Sequence, residues 1–415
     1  MRIYFTWFLI PVVLVALPIF WLVLRRERWR LIFTLVVSTG ALAVLNPIFA
    51  AIAIGLIALT WQVVGLQKAE RLKGGRALLL MITIAVLTLG IGKYGERGAM
   101  AVWGSDDPIV TYLIMPLGIS YFVLRLLQYT FDQMRGVIKE NSFLRLAAFV
   151  MWVPTFPAGP LETYQGFYEK QSPRFDRQLF YEGLRRIAIG YFKKVFVADF
   201  LIVTFLGTIT RTVGKAHFDA EGTTWWWPLA YVIIVFVRAY FDLSAYTDLA
   251  IGFSRLFGFR IMENFRYPFW KPNLAEFWRG WHISLSSWCR NNVYFPVFGL
   301  TRRPWLGLYL SMITMGLWHY LSWNWLLWGL WHGTGLVVVA WWERRKKARR
   351  KKRKKAGKTP VAGYEPWVRW LAYPTTFLFV ALGYAFVGTR TPQHAFKILA
   401  LCFLGPLEWL TSLIT

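Results

Sequence analysis

The sequence has few cysteines and few histidines, which limits the kinds of site it can build. Its 415 residues include two cysteines, Cys289 and Cys402, and five histidines. Two separate cysteines in apolar surroundings provide neither a disulfide framework nor the ligand spacing of a zinc site. Neither His319 nor His332 has a glutamate or histidine three or four residues away, as an H-E-x-x-H zinc motif requires. The sequence therefore predicts no metal site.

Acidic residues are also scarce, and the way the basic residues are distributed excludes one class of partner. There are 21 acidic residues against 48 basic ones, which gives a net charge of +27. Twelve of the basic residues fall within residues 344–358, and the others are spread over short stretches between apolar segments. This is the distribution of cytoplasmic loops in membrane proteins. We expect membrane lipid as a partner, with the basic run near anionic headgroups, and no nucleic acid.

Apolar residues dominate the composition. Hydrophobic residues make up 56% of the sequence and aromatic residues 18%, including 24 tryptophans. Soluble domains are less apolar, and tryptophan is enriched where a membrane meets water. The apolar segments predict an all-α polytopic membrane protein with about eleven transmembrane helices. The positions of the basic residues predict a multi-pass protein with its N-terminus outside and its C-terminus inside.

Two segments do not read as simple membrane spans. Residues near 143–160 are apolar but short and interrupted by proline and glycine, and residues near 259–300 mix charged and aromatic side chains. Irregular backbone at membrane depth is tolerated where protein surrounds it, so both segments are predicted to be re-entrant. The chain then divides into N-terminal transmembrane helices at 1–107, a core at 108–342, a basic cytoplasmic loop at 343–366 and C-terminal transmembrane helices at 367–415.

Five charged residues fall inside the predicted spans or in the second re-entrant segment. Arg238, Asp242 and Asp248 interrupt one span, and Arg279 and Arg290 lie in the segment near 259–300. A charge that faces lipid at the centre of a helix costs about 2.5 to 3.5 kcal/mol on insertion scales. We therefore expect Arg238, Asp242 and Asp248 to face the protein interior and pair with neighbours. Arg279 and Arg290 are also expected to form interior ion pairs that position helices.

Three histidines lie in strongly apolar surroundings. His282, His319 and His332 all fall between residues 277 and 333, and ionisable groups at membrane depth usually mark a functional site. His319 and His332 are separated by a short turn, which predicts that they lie on two packed helices. A neutral imidazole can act as general base toward a hydroxyl, an effect of about 100- to 10,000-fold in rate. No G-x-S-x-G elbow occurs. The candidate catalytic residues therefore favour direct transfer from an activated donor to an acceptor hydroxyl over a covalent enzyme intermediate.

Several motifs together resemble those of the membrane-bound O-acyltransferase (MBOAT) family. They are PLGISY at 116–121, FPAGP at 156–160, YFDLSAYTD at 240–248, ENFRYPF at 263–269, FWRGWHISLS at 277–286, GLWH at 316–319 and WGLWHG at 328–333.

The resemblance implies a fold and a reaction. The implied fold is a ring of helices around a central tunnel, which the acyl donor enters from the cytoplasm and the acceptor from the opposite face. His319 is then the catalytic histidine and His282 its polar companion. The residues expected to line the substrate tunnel are Trp281, Ser284, Trp318, Asn291 and His332.

The implied donor is a thioester, either acyl-CoA or an acyl carrier protein, with no other cofactor bound. The acceptor would be a cell-envelope polysaccharide or an intermediary extracytoplasmic transferase, at the cytoplasmic membrane of a bacterium. Two departures from the family pattern bear on the acceptor: Asn291 follows Arg290 where relatives carry aspartate, and Tyr320 follows His319 where they carry glycine.

Three functions remain open at this point. Residues 240–248 and 376–384 resemble the polysaccharide O-acetylation branch, which makes acetyl the favoured group. The compact length resembles the branch that transfers D-alanine from a carrier-protein thioester toward teichoic acid. A transporter or flippase with buried histidines is the alternative from another class, although the two halves of the sequence show no obvious repeat.

Overall fold

The protein is helical throughout the part of the chain that its structure describes. The computed structural model describes residues 2–103, 118–156, 158–169, 171, 174–205, 207, 226–356 and 366–412. Within these ranges every regular element is a helix, and the single β-bridge is isolated. The predicted boundary between residues 107 and 108 lies outside the described residues, as do residues 357–365 of the predicted basic loop.

Sixteen α-helices, numbered along the chain over the described residues, make up this architecture. The first eight are α1 Arg2–Pro18, α2 Glu27–Leu45, α3 Pro47–Lys68, α4 Gly74–Trp103, α5 Ile119–Met134, α6 Phe143–Val150, α7 Tyr164–Glu169 and α8 Arg177–Tyr191. The others are α9 Trp227–Leu256, α10 Leu274–Gly280, α11 Ile283–Cys289, α12 Phe295–Thr301, α13 Pro304–His319, α14 Trp323–Lys355, α15 Pro366–Gly388 and α16 Pro392–Ser412.

Short π-helices and one 3-10 helix join some of these elements. The π-helices are Ile19–Val23, Phe192–Ile202 and Arg290–Tyr294, and the 3-10 helix is Val153–Thr155. The chain forms two compact units, one of Met1–Tyr191 with Ala245–Glu263 and the other of Phe192–Ser244 with Asn264–Thr415.

Several helices are long and apolar enough to cross a membrane, as predicted. A helix needs about 20 mostly apolar residues to cross the hydrocarbon core. The protein is therefore an all-α, multi-pass membrane protein, while the total of about eleven spans stays a prediction. The candidate spans among the described residues are Glu27–Leu45, Pro47–Lys68, Gly74–Gly95, Trp227–Leu256 and Trp370–Gly388, with Phe8–Val23 as a shorter apolar helix.

A buried arginine binds an irregular turn in the first unit. Arg125 on α5 is 1% exposed and donates hydrogen bonds to the carbonyl oxygens of Val150, at 3.1 Å, and Thr155. These two carbonyls belong to the point where α6 ends and the chain turns through Val153–Thr155. The guanidinium thus helps to satisfy the carbonyl oxygens of this irregular backbone, and the Thr155 oxygen also accepts from the N–H of Gly159 at 3.2 Å. Such satisfaction is the condition for irregular backbone at membrane depth. That the segment is re-entrant stays a prediction.

Asp248 and Asp242 both form the ion pairs that the sequence predicts. In the first unit the carboxylate of Asp248 lies 2.8 Å from a guanidinium nitrogen of Arg186, and the Asp248 side chain is 4% exposed. In the second unit Asp242 lies 2.5 Å from Nζ of Lys194, which also pairs with Asp199 at 2.9 Å. The prediction of interior ion pairs is confirmed at these two positions.

The same prediction is wrong for the three arginines, because Arg238, Arg279 and Arg290 are all exposed. The side chain of Arg279 is 67% exposed and pairs with Glu276 on its own helix. Arg290 is exposed, and its Nε donates to Oδ1 of Asn291 at 3.4 Å. The reason at Arg279 is helical geometry: Leu274, Phe277 and Trp278 form the buried face of α10, and Arg279 points away from it.

Helix α14 extends beyond the predicted end of its span. It continues to Lys355, through the first part of the segment predicted as a loop from residue 343. Lysine and arginine are good helix formers. The four basic residues of the last turn, 352–355, also interact favourably with the negative end of the helix dipole. These preferences explain why the helix does not stop where the apolar run stops.

Replacing Arg125 by methionine is expected to destabilise the first unit. The change leaves two buried carbonyl oxygens without their charged donor, which should lower the free energy of unfolding by about 2 to 4 kcal/mol. Thermal unfolding in detergent measures this. Arg71→Met is the control, because Arg71 is exposed. Equal unfolding temperatures for the two variants would contradict the role given to Arg125.

Candidate functional site

Helices α13 and α14 of the second unit approach each other so closely that only glycine fits at their contacts. A Cβ on Gly316 would lie 2.3 Å from the carbonyl oxygen of Trp325, and one on Gly329 would lie 2.8 Å from that of Met312. Small residues allow such backbone contact between membrane helices. His319 is the last residue of α13, and His332 lies on α14. The prediction that these histidines lie on two packed helices is confirmed.

His319 is half-buried among three indole rings. Its imidazole stacks on Trp325, with ring centroids 4.6 Å apart and an angle of 18° between the planes. Trp318 meets it edge-on at 4.8 Å, and Trp328 lies at 6.3 Å. Tyr320, which follows it, is extended and ends the helix. The stacking fixes the plane of the imidazole, so that its nitrogens, which lie in that plane, have a defined direction.

His332 is completely buried against other rings. Its exposure is 0%, and its imidazole lies 4.6 Å from Trp328, 5.3 Å from Trp278 and 6.0 Å from Phe379. Neither nitrogen of His332, nor the indole nitrogen of Trp278 or Trp328, has a hydrogen-bond partner in the part of the chain that the structure describes. Leaving a buried polar group unpaired costs about 1 to 3 kcal/mol. This concentration of unpaired nitrogens therefore needs a physical reason.

His282 lies in a strained turn between α10 and α11. Its φ is +44°, in the left-handed region, and its side chain is 2% exposed. Asn264 holds this turn: its backbone oxygen accepts from the N–H of Ile283 at 2.9 Å, and its Oδ1 accepts from the N–H of Ser284 at 3.1 Å. A left-handed residue other than glycine persists only where its surroundings enforce it, and such strain is common at functional sites.

A continuous series of ring contacts joins the region of His282 to His319. The indole of Trp281, next to His282, stacks on Phe277 at 5.5 Å. Phe277 contacts Trp278 at 5.5 Å, Trp278 contacts Trp328 at 5.8 Å, and Trp328 contacts His319. Trp281 and His319 thus belong to one aromatic cluster, together with the predicted residues Trp318 and His332.

The structure places the other two predicted tunnel residues differently. Ser284 is buried in the first turn of α11 beside His282. Asn291 lies on the π-helix Arg290–Tyr294, where it is exposed and accepts a hydrogen bond from Arg290. A tunnel-lining role for either residue stays a prediction.

Sequence reasoning did not select Trp325, Trp328 or Asn264 as site residues. The two tryptophans precede His332 by seven and four residues. This spacing puts all three on one face of a helix, and the pattern could have identified them. Asn264 is 18 residues before His282, and no local periodicity connects the two.

Metal-binding residues do not come together within the ranges given above. No group of three or more histidine, cysteine, aspartate or glutamate side chains there could hold a metal ion. The arrangement that the residues do offer is one of imidazoles in apolar, aromatic surroundings. Such an arrangement suits proton transfer in a site from which water is largely excluded.

Comparison with known proteins identifies the family. A model of the MBOAT, membrane-bound O-acyltransferase family matches residues 99–381, which is more than half of the chain. This protein belongs to the MBOAT family. The family resemblance predicted from the motifs is thereby confirmed, and the matched range includes His282, His319 and His332.

We compare this MBOAT protein with three relatives by sequence identity and coverage. It is 34% identical over 274 residues to "Probable alginate O-acetylase AlgI" of Azotobacter vinelandii, covering 63% of this chain and 53% of that protein. It is 32% identical over 235 residues to "Teichoic acid D-alanyltransferase" of Bacillus subtilis, covering 53% and 58%. With the D-alanyltransferase of Streptococcus thermophilus the identity is 27% over 386 residues, covering 89% and 90%. The chain thus spans about half the length of the Azotobacter protein.

An alanine at Gly316 is expected to separate α13 from α14. Its methyl group would collide with the Trp325 backbone, so the helices must move and the free energy of unfolding should fall by about 1 to 3 kcal/mol. Gly299→Ala is the matched control, since a Cβ there meets nothing within 4 Å. Thermal unfolding in detergent compares the two. A Gly316→Ala protein as stable as the control would show that the helices are not in backbone contact.

Replacing Asn264 by alanine is expected to release the His282 turn. The loss of its hydrogen bonds should cost about 1 to 2 kcal/mol and expose the imidazole. Mass spectrometry after treatment with diethyl pyrocarbonate measures modification of His282, which should be protected in the wild type and modified in the variant. Asn46→Ala removes a comparable cap, from α3 in the first unit, and should leave His282 protected. Equal protection in all three proteins would contradict the role of Asn264.

Proposed function

We propose that this protein is an O-acyltransferase of the bacterial cytoplasmic membrane. It moves an acetyl group from a cytoplasmic thioester, either acyl-CoA or an acyl carrier protein, to a hydroxyl on the other side of the membrane. The acceptor is a cell-envelope polysaccharide or an intermediary extracytoplasmic transferase. Family membership supports the reaction class, and the 34% identity to a protein named for alginate O-acetylation supports the acetyl group.

His319 is the general base in this proposal, and its position is the observation that carries it. The imidazole lies at the end of α13, half-buried, with its plane fixed by the indole of Trp325. It removes the proton of the acceptor hydroxyl while the hydroxyl oxygen attacks the carbonyl carbon of the thioester. The new C–O bond forms, the C–S bond breaks, and the imidazolium returns the proton to the thiolate. The products are an ester and a thiol.

His282 serves as the polar companion of His319. The turn that carries it is fixed by Asn264 and leads directly into the aromatic cluster through Trp281. Burial within a low-dielectric site strengthens any hydrogen bond that His282 makes to a substrate. Trp281, Ser284, Trp318, Asn291 and His332 complete the substrate tunnel in this proposal.

The membrane topology belongs to the same proposal. About eleven spans place the N-terminus outside and the C-terminus inside, with the basic end of α14 in the cytoplasm, where lysine and arginine accumulate. The donor then meets the site from the basic side of the membrane, and the acceptor meets it from the opposite side.

A second candidate is transfer of D-alanine toward teichoic acid. The D-alanyltransferase of Streptococcus thermophilus covers 89% of this chain, and this chain covers 90% of that protein. This donor too is a thioester, so the same histidine chemistry applies. A transporter or flippase loses support, because the family model that matches the chain is one of acyltransferases.

Replacing His319 by glutamine is expected to abolish most of the transfer. Membranes with equal amounts of wild type or variant are supplied with labelled acetyl or D-alanyl thioester, and label in the envelope polymer is counted. Loss of a general base should reduce the rate by about 100-fold or more. His394→Gln is the control, because His394 is exposed and bonds to Thr391.

The donor that yields label decides between acetyl and D-alanyl transfer. Undiminished transfer by the His319→Gln protein would show that His319 is structural. An absence of transfer by the wild type with both donors would contradict the proposed function itself.

A further inference from the structure

Three mutually contacting rings in the second unit leave their nitrogens without partners. Trp278 on α10 and Trp328 and His332 on α14 form this group, called the nitrogen triad below. Their ring centroids are 4.6 to 5.8 Å apart, and their exposures are 8%, 3% and 0%. Each has at least one buried nitrogen that bonds to nothing in the described ranges.

Several other indole nitrogens in the described residues donate to distant parts of the chain. The indole N–H of Trp331, on the same helix, donates to the carbonyl oxygen of Phe379 at 3.0 Å. Buried polar groups normally form a hydrogen bond with another protein group or with an ordered water. Comparable long-range bonds are made by Trp21 to Leu256, by Trp61 to Asn141 and by Trp152 to Ser254. The triad therefore differs from these four indoles and fits a site that is completed by a ligand.

The nitrogens of the triad define the chemistry of that ligand. An indole nitrogen is a donor only, and a neutral imidazole has one donor and one acceptor nitrogen. The triad thus offers three N–H donors, surrounded by apolar rings such as Phe379. Three N–H donors can bind one oxygen atom that accepts several hydrogen bonds.

The dimensions of the triad agree with a single oxygen. Three nitrogens that each donate to one oxygen at about 2.9 Å lie within about 6 Å of one another. Rings whose centroids are 4.6 to 5.8 Å apart allow their nitrogens this spacing. On one side of His332 the chain presents Gly383, where a Cβ would lie 3.0 Å from Nε2. A side chain at this position would press against the imidazole of His332 and the indole of Trp331.

The triad also adjoins the proposed base. Trp328 contacts His332 at 4.6 Å and His319 at 6.3 Å. If the carbonyl oxygen of an acyl group accepts hydrogen bonds from the triad, its carbonyl carbon lies near His319. A hydroxyl bonded to His319 could attack that carbon.

We propose that Trp278, Trp328 and His332 donate hydrogen bonds to the carbonyl oxygen of the thioester donor and stabilise the negative charge that develops on it. This inference rests on the proposed function. As the hydroxyl oxygen attacks, the C=O bond opens and its electron pair moves to the carbonyl oxygen. When that pair returns, the C–S bond breaks and the thiolate leaves with the proton held by His319. Donors already in place in a dry site stabilise such an oxyanion strongly.

The test removes the N–H groups and keeps the rings. Trp278→Phe and Trp328→Phe are compared with Trp331→Phe, whose indole N–H already has a backbone partner. The proteins are reconstituted in liposomes, and kcat and KM are measured with the donor thioester that the wild type uses. Removing one oxyanion donor lowers kcat by about 100-fold or more. Both triad variants should show this loss with little change in KM, and Trp331→Phe should retain the wild-type kcat.

A second measurement separates oxyanion stabilisation from packing. A thioether analogue of the donor, with CH2 in place of the carbonyl group, has no oxygen for the triad. Its affinity should be the same for the wild type and both triad variants, because the triad binds only the oxygen. His332→Gln, which keeps an N–H donor, should retain more of kcat than His332→Leu.

Several outcomes would overturn the inference and leave the proposed function intact. In one, the wild type transfers acyl groups and both triad variants keep its kcat. In another, the variants lower the unfolding temperature without lowering kcat, which would show that the triad binds an ordered water and not the donor. In a third, kcat and the affinity for the analogue fall together, which would show that the triad rings only pack against the donor. If the wild type transfers from no thioester, the proposed function fails and the inference falls with it.

Discussion

The close approach of α13 and α14 is the constraint on which the candidate site depends. Gly316 has no side chain, so its backbone can lie against the carbonyl of Trp325. The same contact brings the end of α13 beside the first turns of α14. His319 therefore stacks on Trp325 and reaches Trp328, and Trp328 in turn lies against His332. A larger residue at 316 would separate these rings, although it lies three residues from the imidazole.

Aromatic packing gives this site two properties that general base chemistry needs. Rigid rings hold the imidazole in one orientation at small entropic cost, because an indole has only two rotatable side-chain bonds. Apolar rings around an imidazole also lower the local dielectric constant, which strengthens hydrogen bonds to a developing charge. Such a site leaves some polar atoms unsatisfied in the absence of substrate, as it does at Trp278 and His332. The cost of these atoms is consistent with a site built to bind an oxygen.

Much of this arrangement follows from local sequence, and some of it does not. The short turn between His319 and His332 predicts a helical hairpin, and the cost of a charge in lipid predicts partners for Asp242 and Asp248. Arg279 was wrongly placed because composition shows how apolar a segment is but not which face of a short helix is buried. The role of Asn264 was missed because its hydrogen bonds depend on tertiary folding.

The proposed reaction requires that an acyl donor reaches His319 within the aromatic cluster. The most direct measurement is an electron cryomicroscopy structure of the protein in lipid nanodiscs with a thioether analogue of the donor. We expect density for the analogue that ends beside the imidazole of His319, next to Trp328. Density that ends elsewhere, with the imidazole of His319 enclosed by protein on every side, would contradict it.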